Sequence, residues 1–300
     1  MAVKAIWSRI KDTTKAFHPK DTSDEDDKIV FSILNTSYDS LLDREIGGIS
    51  FQALRDLQIH VSLLDRQSVC FAKGIAAHEQ FFVPLSEEVL RKHERNLAPC
   101  PENSRIESEE NVLQNSTPFI KKIGDDSTHG WASTMCQRLF TEADLAPRKG
   151  TEEDKQPLKS LTGWRRSETV GPWYDWRVSG KWRPRFSCPM PGGKHPHAKV
   201  VMYHDVGGVE GEVLKEELLV IIVVMVNRLM NERYMKHAII PIMLFSFMGK
   251  RHGRILLAHC TKEQLVLKIS PLYRFMVEEE DWEGIRWWSP TQLLTSRRVA

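Results

Sequence analysis

The stretch that decides the fold is EVLKEELLVIIVVMVNRLMNER, residues 212–233. Leu214, Leu218, Ile221, Met225 and Leu229 recur at helical spacing and form one apolar stripe, and Val220 and Val224 widen it toward burial on all sides. The inner run Val220-Ile221-Ile222-Val223-Val224 also has the β-branched composition of a strand. Length and charge order decide between the two. The segment is too long for one strand. Its acids come first (Glu212, Glu216, Glu217) and its bases last (Arg228, Arg233, then Lys236), a polarity that offsets the helix dipole at both ends. The spacing predicts a buried helix over 212–233.

Three short strands are expected after it, over 239–248, 254–260 and 264–270, joined by turns short enough for an antiparallel meander. Gly249 and Gly253 bound the first turn, Pro241 suits a strand start or an edge, and Lys268 should face outward between Leu267 and Ile269. A helix laid on this sheet would bury both apolar faces, giving an α+β module. Beyond it stand the acidic run Glu278-Glu279-Glu280-Asp281 and Trp282, Trp287 and Trp288; Pro290 is expected to open a short terminal helix.

Working outward, the chain divides into a flexible N-terminus (1–28), a helical region (29–97), a low-order linker (98–160) and the α+β C-terminal module (161–300). The first zone closes in Asp24-Glu25-Asp26-Asp27; Ile6, Trp7 and Ile10 could share a helix face, but a loosely docked terminus is the preferred reading. In the second, Leu54, Leu57, Val61 and Leu64 mark a helical stripe with Ser50 as N-cap, and Ser86 heads another segment. Gly47-Gly48 should separate helices. The third holds Pro99, Pro101, Pro118, Pro147 and Pro157 among polar residues, too little apolar surface to offset chain ordering; a short helix is expected around 135–143.

The whole chain has 300 residues and a formal charge of +2, with 42 Lys and Arg against 40 Asp and Glu, so bulk charge names no partner. The longest apolar run, 218–226, falls short of the roughly 20 residues a membrane helix needs. No membrane span and no secretory leader are expected. Cys70, Cys100, Cys136, Cys188 and Cys260 are scattered, odd in number and form no CxxC, which points to free thiols in an intracellular protein of cytoplasm or nucleus.

Three constellations could carry chemistry. The element order, a helix with early glutamates and then three strands, resembles the PD-(D/E)xK nuclease-like core. That resemblance implies acids holding a divalent metal and a lysine polarising water, with Glu212, Glu216, Glu263 and Lys268 as the catalytic candidates. Val266 stands where the second acid of E-x-K belongs, and a valine cannot ligate metal; a surface lysine among structural hydrophobes is the better account. Cys188, His195, His197 and His204 could supply four metal ligands, but their spacing matches no familiar finger and the intervening prolines and glycines predict an exposed polar loop. Neither a bound metal nor another cofactor is expected.

The third constellation is Trp164, Arg165, Arg166, Trp173, Trp176, Arg177, Trp182, Arg183 and Arg185, within a 161–200 segment of strongly basic charge. Arginine interleaved with tryptophan suits single-stranded nucleic acid, through phosphate neutralisation and base stacking. Tryptophans wedged into the core under stacked arginines is the competing and preferred account. Glycine-rich phosphate loops, the G-x-S-x-G elbow and HExxH do not occur, and the acids after Gly207-Gly208 would repel an anion there.

Ile240-Pro241-Ile242-Met243-Leu244-Phe245-Ser246-Phe247-Met248-Gly249, His252-Gly253-Arg254-Ile255-Leu256 and Leu265-Val266-Leu267-Lys268-Ile269-Ser270-Pro271-Leu272-Tyr273 together resemble a large group of uncharacterised filamentous-fungal proteins. The likeness covers roughly the helix through Phe275 and departs at Thr261-Lys262-Glu263, where related chains carry an Asp-Gly type turn. It implies a fungal intracellular protein and transfers no catalytic residue. The expectation is therefore a non-enzymatic interaction or accessory protein with a protein partner. A diverged nuclease-like domain binding nucleic acid through 161–200 is the alternative, and the sequence does not set the oligomeric state.

Overall fold

A computed structural model of the chain describes residues 25–45, 47–64, 81–84, 132, 136, 182–189, 195–231, 233–234, 237, 239–249, 252–274 and 291–293. In chain order the elements are α1 (Glu25–Leu42), β1 (Gly48–Ser50), α2 (Phe51–Arg55), β2 (Ile59–Leu63), β3 (Phe82–Pro84), β4 (Trp182–Pro189) and β5 (Ala198–His204). They continue with β6 (Glu212–Leu214), α3 (Lys215–Leu229), β7 (Ile242–Met248), β8 (His252–Cys260), β9 (Leu265–Ile269), β10 (Tyr273–Arg274) and β11 (Thr291–Leu293).

The decisive segment is a helix. It runs only from Lys215 to Leu229, ending short of Arg233, and Glu212–Leu214 pair as β6 with β1, because Gly48 and Gly47 bring an extended backbone alongside. Behind α3 the expected meander forms the centre of the sheet, β7 antiparallel to β8 and β8 to β9. The sheet is larger than a meander and mixed. Its order is β2-β9-β8-β7-β5-β4, with β10 also on β8; β5 runs parallel to β7 and β2 parallel to β9. The parallel β5–β7 pair requires a crossover, and α3 supplies it.

Burial explains why α3 is apolar almost all round. One side lies on the sheet face carrying Val200, Met202, Leu244, Leu256, Ala258 and Leu267, and α1 packs against another through Val30, Ile33, Leu34 and Leu41. Each such side chain removed from water stabilises by about 1.5–3 kcal/mol. The mainly helical N-terminal region and the helix-on-sheet C-terminal region thus share one core. The acids placed in the first zone open α1: Glu25, Asp26 and Asp27 form its first turn.

Several expectations need correction. Ser50 does cap a helix, its hydroxyl accepting from the Ala53 N–H at 3.3 Å, but that helix stops at Arg55. Gln58 takes a left-handed backbone (φ 57°), and Val61 and Leu64 continue in β2 or just beyond it. The backbone of this segment is satisfied by β9, from the Leu265 N–H to the Gln58 carbonyl (3.0 Å) through the Leu64 N–H to the Ile269 carbonyl (2.7 Å). Thr291–Leu293 after Pro290 is a strand on β3, not a helix.

The region 98–160 lies outside the described residues except for Ala132 and Cys136. Both are helical and buried, and the Cys136 thiol donates to the Met202 carbonyl at 3.4 Å. Cys136, Cys188 and Cys260 are free thiols. The first 24 residues, the segment headed by Ser86, and Trp282, Trp287 and Trp288 also lie outside the described residues.

Candidate functional site

The β5–α3–β7 crossover has a polar cluster at each end. At the carboxyl ends of β5 and β7, Arg254 of β8 turns onto the helix face of the sheet, in line with Leu256 and Ala258. It meets Glu217 in the first turn of α3 through two parallel bonds, Nε to Oε1 at 3.0 Å and Nη2 to Oε2, while Nη1 donates to the Glu212 carbonyl at 2.6 Å. Glu217 Oε2 also accepts from the Leu214 N–H at 2.8 Å, so one carboxylate both clamps the arginine and caps the helix. Burial alone would push the Glu217 carboxyl up; Arg254 outweighs it and holds the group below the usual range, ionised.

His204 and Ser246 complete this cluster. Burial holds the His204 imidazole down at about 4, with Arg254 adding to the effect and Glu217 opposing it, so the ring is neutral at pH 7. The Ser246 hydroxyl is near enough to Glu217 to favour its charged form without completing a well-directed hydrogen bond. Beside them Glu216 is buried with one carboxyl oxygen unpartnered, and burial raises its pKa. Lys215 reaches the other way, donating to the Leu42 carbonyl at 3.2 Å and to that of Arg44, and so ties the end of α1 to the start of α3. This end is closed.

At the opposite end, the last turn of α3 meets the chain entering β5. Arg228 Nη1 donates to the Pro196 carbonyl at 3.1 Å, and its guanidinium carbon lies 4.9 Å from the centroid of the Tyr234 ring. His197, next in sequence, is only 1% exposed. Its ring meets Phe82 edge-on at 5.5 Å between centroids, Phe81 at 6.2 Å and His195 at 6.0 Å; Phe81 in turn leans on His259 at 4.9 Å. Neither ring nitrogen of His197 has a partner, nor does the buried Nδ1 of His195. Burial, then the charges of His195, Arg228 and His237, push the His197 imidazole down to about 3.

The sequence-predicted residues fall as follows. Glu212 and Glu216 sit by the Arg254 end, whereas Glu263 lies in the β8–β9 turn, about 20 Å or more away along β8. Lys268 is half-buried on the sheet face opposite α3, beside buried Val266. The four do not meet. Among the metal candidates, His204 ends β5 and His197 precedes its start, roughly 23 Å apart along the strand. Cys188 stands opposite Lys199 in register, so only His195 and His197 are brought together. Among the described residues no three His, Cys, Asp or Glu side chains are placed to hold a metal ion. The exposed loop expected at 195–197 is instead buried at Pro196 and His197 and half-buried at His195, with Phe81 and Phe82 against His197.

Trp164, Arg165, Arg166, Trp173, Trp176 and Arg177 lie outside the described residues. Trp182, Arg183 and Arg185 lie on β4, where Arg185 is exposed. Gly208 is explained by packing rather than by anion binding, since a Cβ there would run into Met248. Sequence reading missed both arginines. Arg254 left a signal: it alternates with Leu256 and Ala258 onto the core face, where a charge requires a buried partner. Arg228 left none, because an arginine in a last helical turn reads as a dipole partner.

Compared with known proteins, the chain matches no family model, no curated protein and no solved structure. Among the described residues no helix is long and apolar enough to cross a membrane.

Proposed function

We propose that this chain is a non-enzymatic interaction or accessory protein, intracellular and of the fungal kind its meander resembles, that takes an extended segment of a protein partner at the β2 edge of the sheet. The observation that carries this reading is the unequal treatment of the two sheet edges. β4, at one edge, is interrupted by Pro184 and Pro189, breaks register between Pro184 and Phe186, and carries Arg183 and Arg185. Such devices stop a further strand from adding. β2, at the other edge, reads Ile59-His60-Val61-Ser62-Leu63, with no proline, no bulge and no Lys, Arg, Asp or Glu.

The hydrogen-bond pattern says which groups that edge offers. Gln58 and Leu64 both bond toward β9. In a parallel ladder alternate residues bond to the same side, so Ile59, Val61 and Leu63 present their N–H and C=O groups outward. Among the described residues no strand lies beyond them, and Leu63 is 65% exposed at the end. Strand addition of this kind draws affinity from main-chain bonds and specificity from alternate side chains.

Selection of extended peptides from a displayed library on the full chain tests the reading. Val61→Pro removes one outward N–H and leaves the β9 ladder intact, so selected peptides should lose about tenfold or more in affinity to it and bind His60→Ala normally. Equal binding to Val61→Pro, or no selected peptide, overturns the proposal. Salt-dependent binding of a single-stranded oligonucleotide, undiminished in Val61→Pro, would move the function to the basic segment instead.

A further inference from the structure

We propose that the Arg228 end of the crossover is a binding site for a small oxyanion, a phosphate or carboxylate group, held by Arg228, His195 and His197. A neutral imidazole always offers one N–H donor and one acceptor nitrogen, and hiding both without partners is costly. His197 hides both, in the interior, beside the buried unpartnered Nδ1 of His195. The two rings stand 6.0 Å apart at 68°, a separation that lets one small polar group lie within reach of both. Between Phe81, Phe82 and the β5 entry, these are the polar atoms whose bonding is incomplete.

The sign of the charge identifies the class of ligand. Arg228 is buried, bonds the carbonyl of Pro196 and engages Tyr234 through its ring and side-chain oxygen; among the described residues no carboxylate pairs with it. Guanidiniums do not give up their proton in proteins, so the site holds a standing positive charge. The charges that bear on His197 come from His195, Arg228 and His237, every one of them basic. The guanidinium disfavours a metal cation, and among the described residues no group of three His, Cys, Asp or Glu is placed to hold one. An oxyanion would pair with the guanidinium and accept from the imidazole N–H groups. The apolar wall of Phe81 and Phe82 keeps water from weakening those bonds. His195 and His237 are half-buried.

The test uses the full chain, titrated calorimetrically with inorganic phosphate and separately with acetate, at ionic strength matched with chloride. Saturable binding of either anion is expected, phosphate alone assigning a phosphate group and acetate a carboxylate. His197→Phe keeps a ring packed against Phe81 and Phe82 and should weaken binding about tenfold or more. Should that variant not fold, His195→Ala, at a half-buried loop position, must show the same loss. Lys262→Ala, a change on the exposed turn, should bind normally. Absence of saturable binding by the unaltered chain, or equal binding by both histidine variants, overturns the proposal.

Discussion

Arg254 and Arg228 stand at opposite ends of one crossover, and both guanidiniums are taken out of water, yet among the described residues Arg254 meets a carboxylate and Arg228 does not. At the Arg254 end, both nitrogen edges, both Glu217 oxygens and the N–H of Leu214, the N-cap of α3, are satisfied within one network. At the Arg228 end, a lone guanidinium is flanked by imidazoles with unmet bonds. Open α/β sheets usually bind ligands at the carboxyl ends of their parallel strands. Here that end is filled by an internal ion pair, with His204 Nε2, Ser246 Oγ and one Glu216 oxygen unpartnered beside it, while the other end holds a buried guanidinium that no described carboxylate pairs. A buried charge is a fastening when an acid of the same chain pairs it and a candidate site when none does.

The largest effect expected from this contrast is at the closed end. Arg254→Leu leaves Glu217 buried without its partner and should cost about 3–5 kcal/mol in denaturant unfolding. Arg254→Leu with Glu217→Leu should recover much of that loss, because the uncompensated charge goes with its partner. If the single variant is as stable as the parent, the two ends are not different in kind. Arg228→Met, by contrast, gives up one hydrogen bond and one cation–ring contact, about 1–2 kcal/mol, and strands no carboxylate.

Acid should act on both ends, through groups held neutral inside. His204 and His197 titrate in the folded chain near 4 and 3, and near 6.5 when unfolded. The unfolded chain therefore binds more protons below pH 6.5. The stability these rings carry is complete above that value and falls as pH drops toward 4 and 3. From pH 7 to 5 the loss should be about 2 kcal/mol for each ring, read from denaturant midpoints. His197→Phe should remove about half of the slope and leave the His204 share. Glu217, whose pKa is lowered, adds a further loss only below its ordinary value near 4.5. A slope unchanged in His197→Phe would mean that this ring is not held neutral.

The smallest effect belongs to Ser246→Ala. Its hydroxyl is buried without a completed bond, so removing it should change stability by less than about 1 kcal/mol in either direction. A larger loss would show that the hydroxyl is a true member of the closed network.

The helix and the meander were legible because each is written in local spacing. The apolar positions of 212–233 fit a 3.6-residue period with acids first and bases last, and Gly249 and the Thr261 turn mark the strand ends. That turn closes on itself, the Thr261 hydroxyl accepting from the Glu263 and Gln264 N–H groups at 3.2 and 3.1 Å. The candidate site was hardly legible. His195 and His197 were visible as a pair, but as an exposed loop; the aromatic cover comes from residues 81 and 82, more than a hundred positions away.

The sequence by itself determined that the helix and the meander would hide from water, since periodicity and turn chemistry act between neighbours along the chain. Tertiary structure alone decided that 59–63 is extended, because β9 supplies its hydrogen bonds in place of a helical turn. It alone decided that β5 enters the sheet parallel to β7, and that one buried arginine finds an acid while the other finds a carbonyl and a ring. The physical reason is the same in each case: a backbone group or a charge is satisfied by whatever the fold brings within about 3 Å, and sequence distance does not enter that bond.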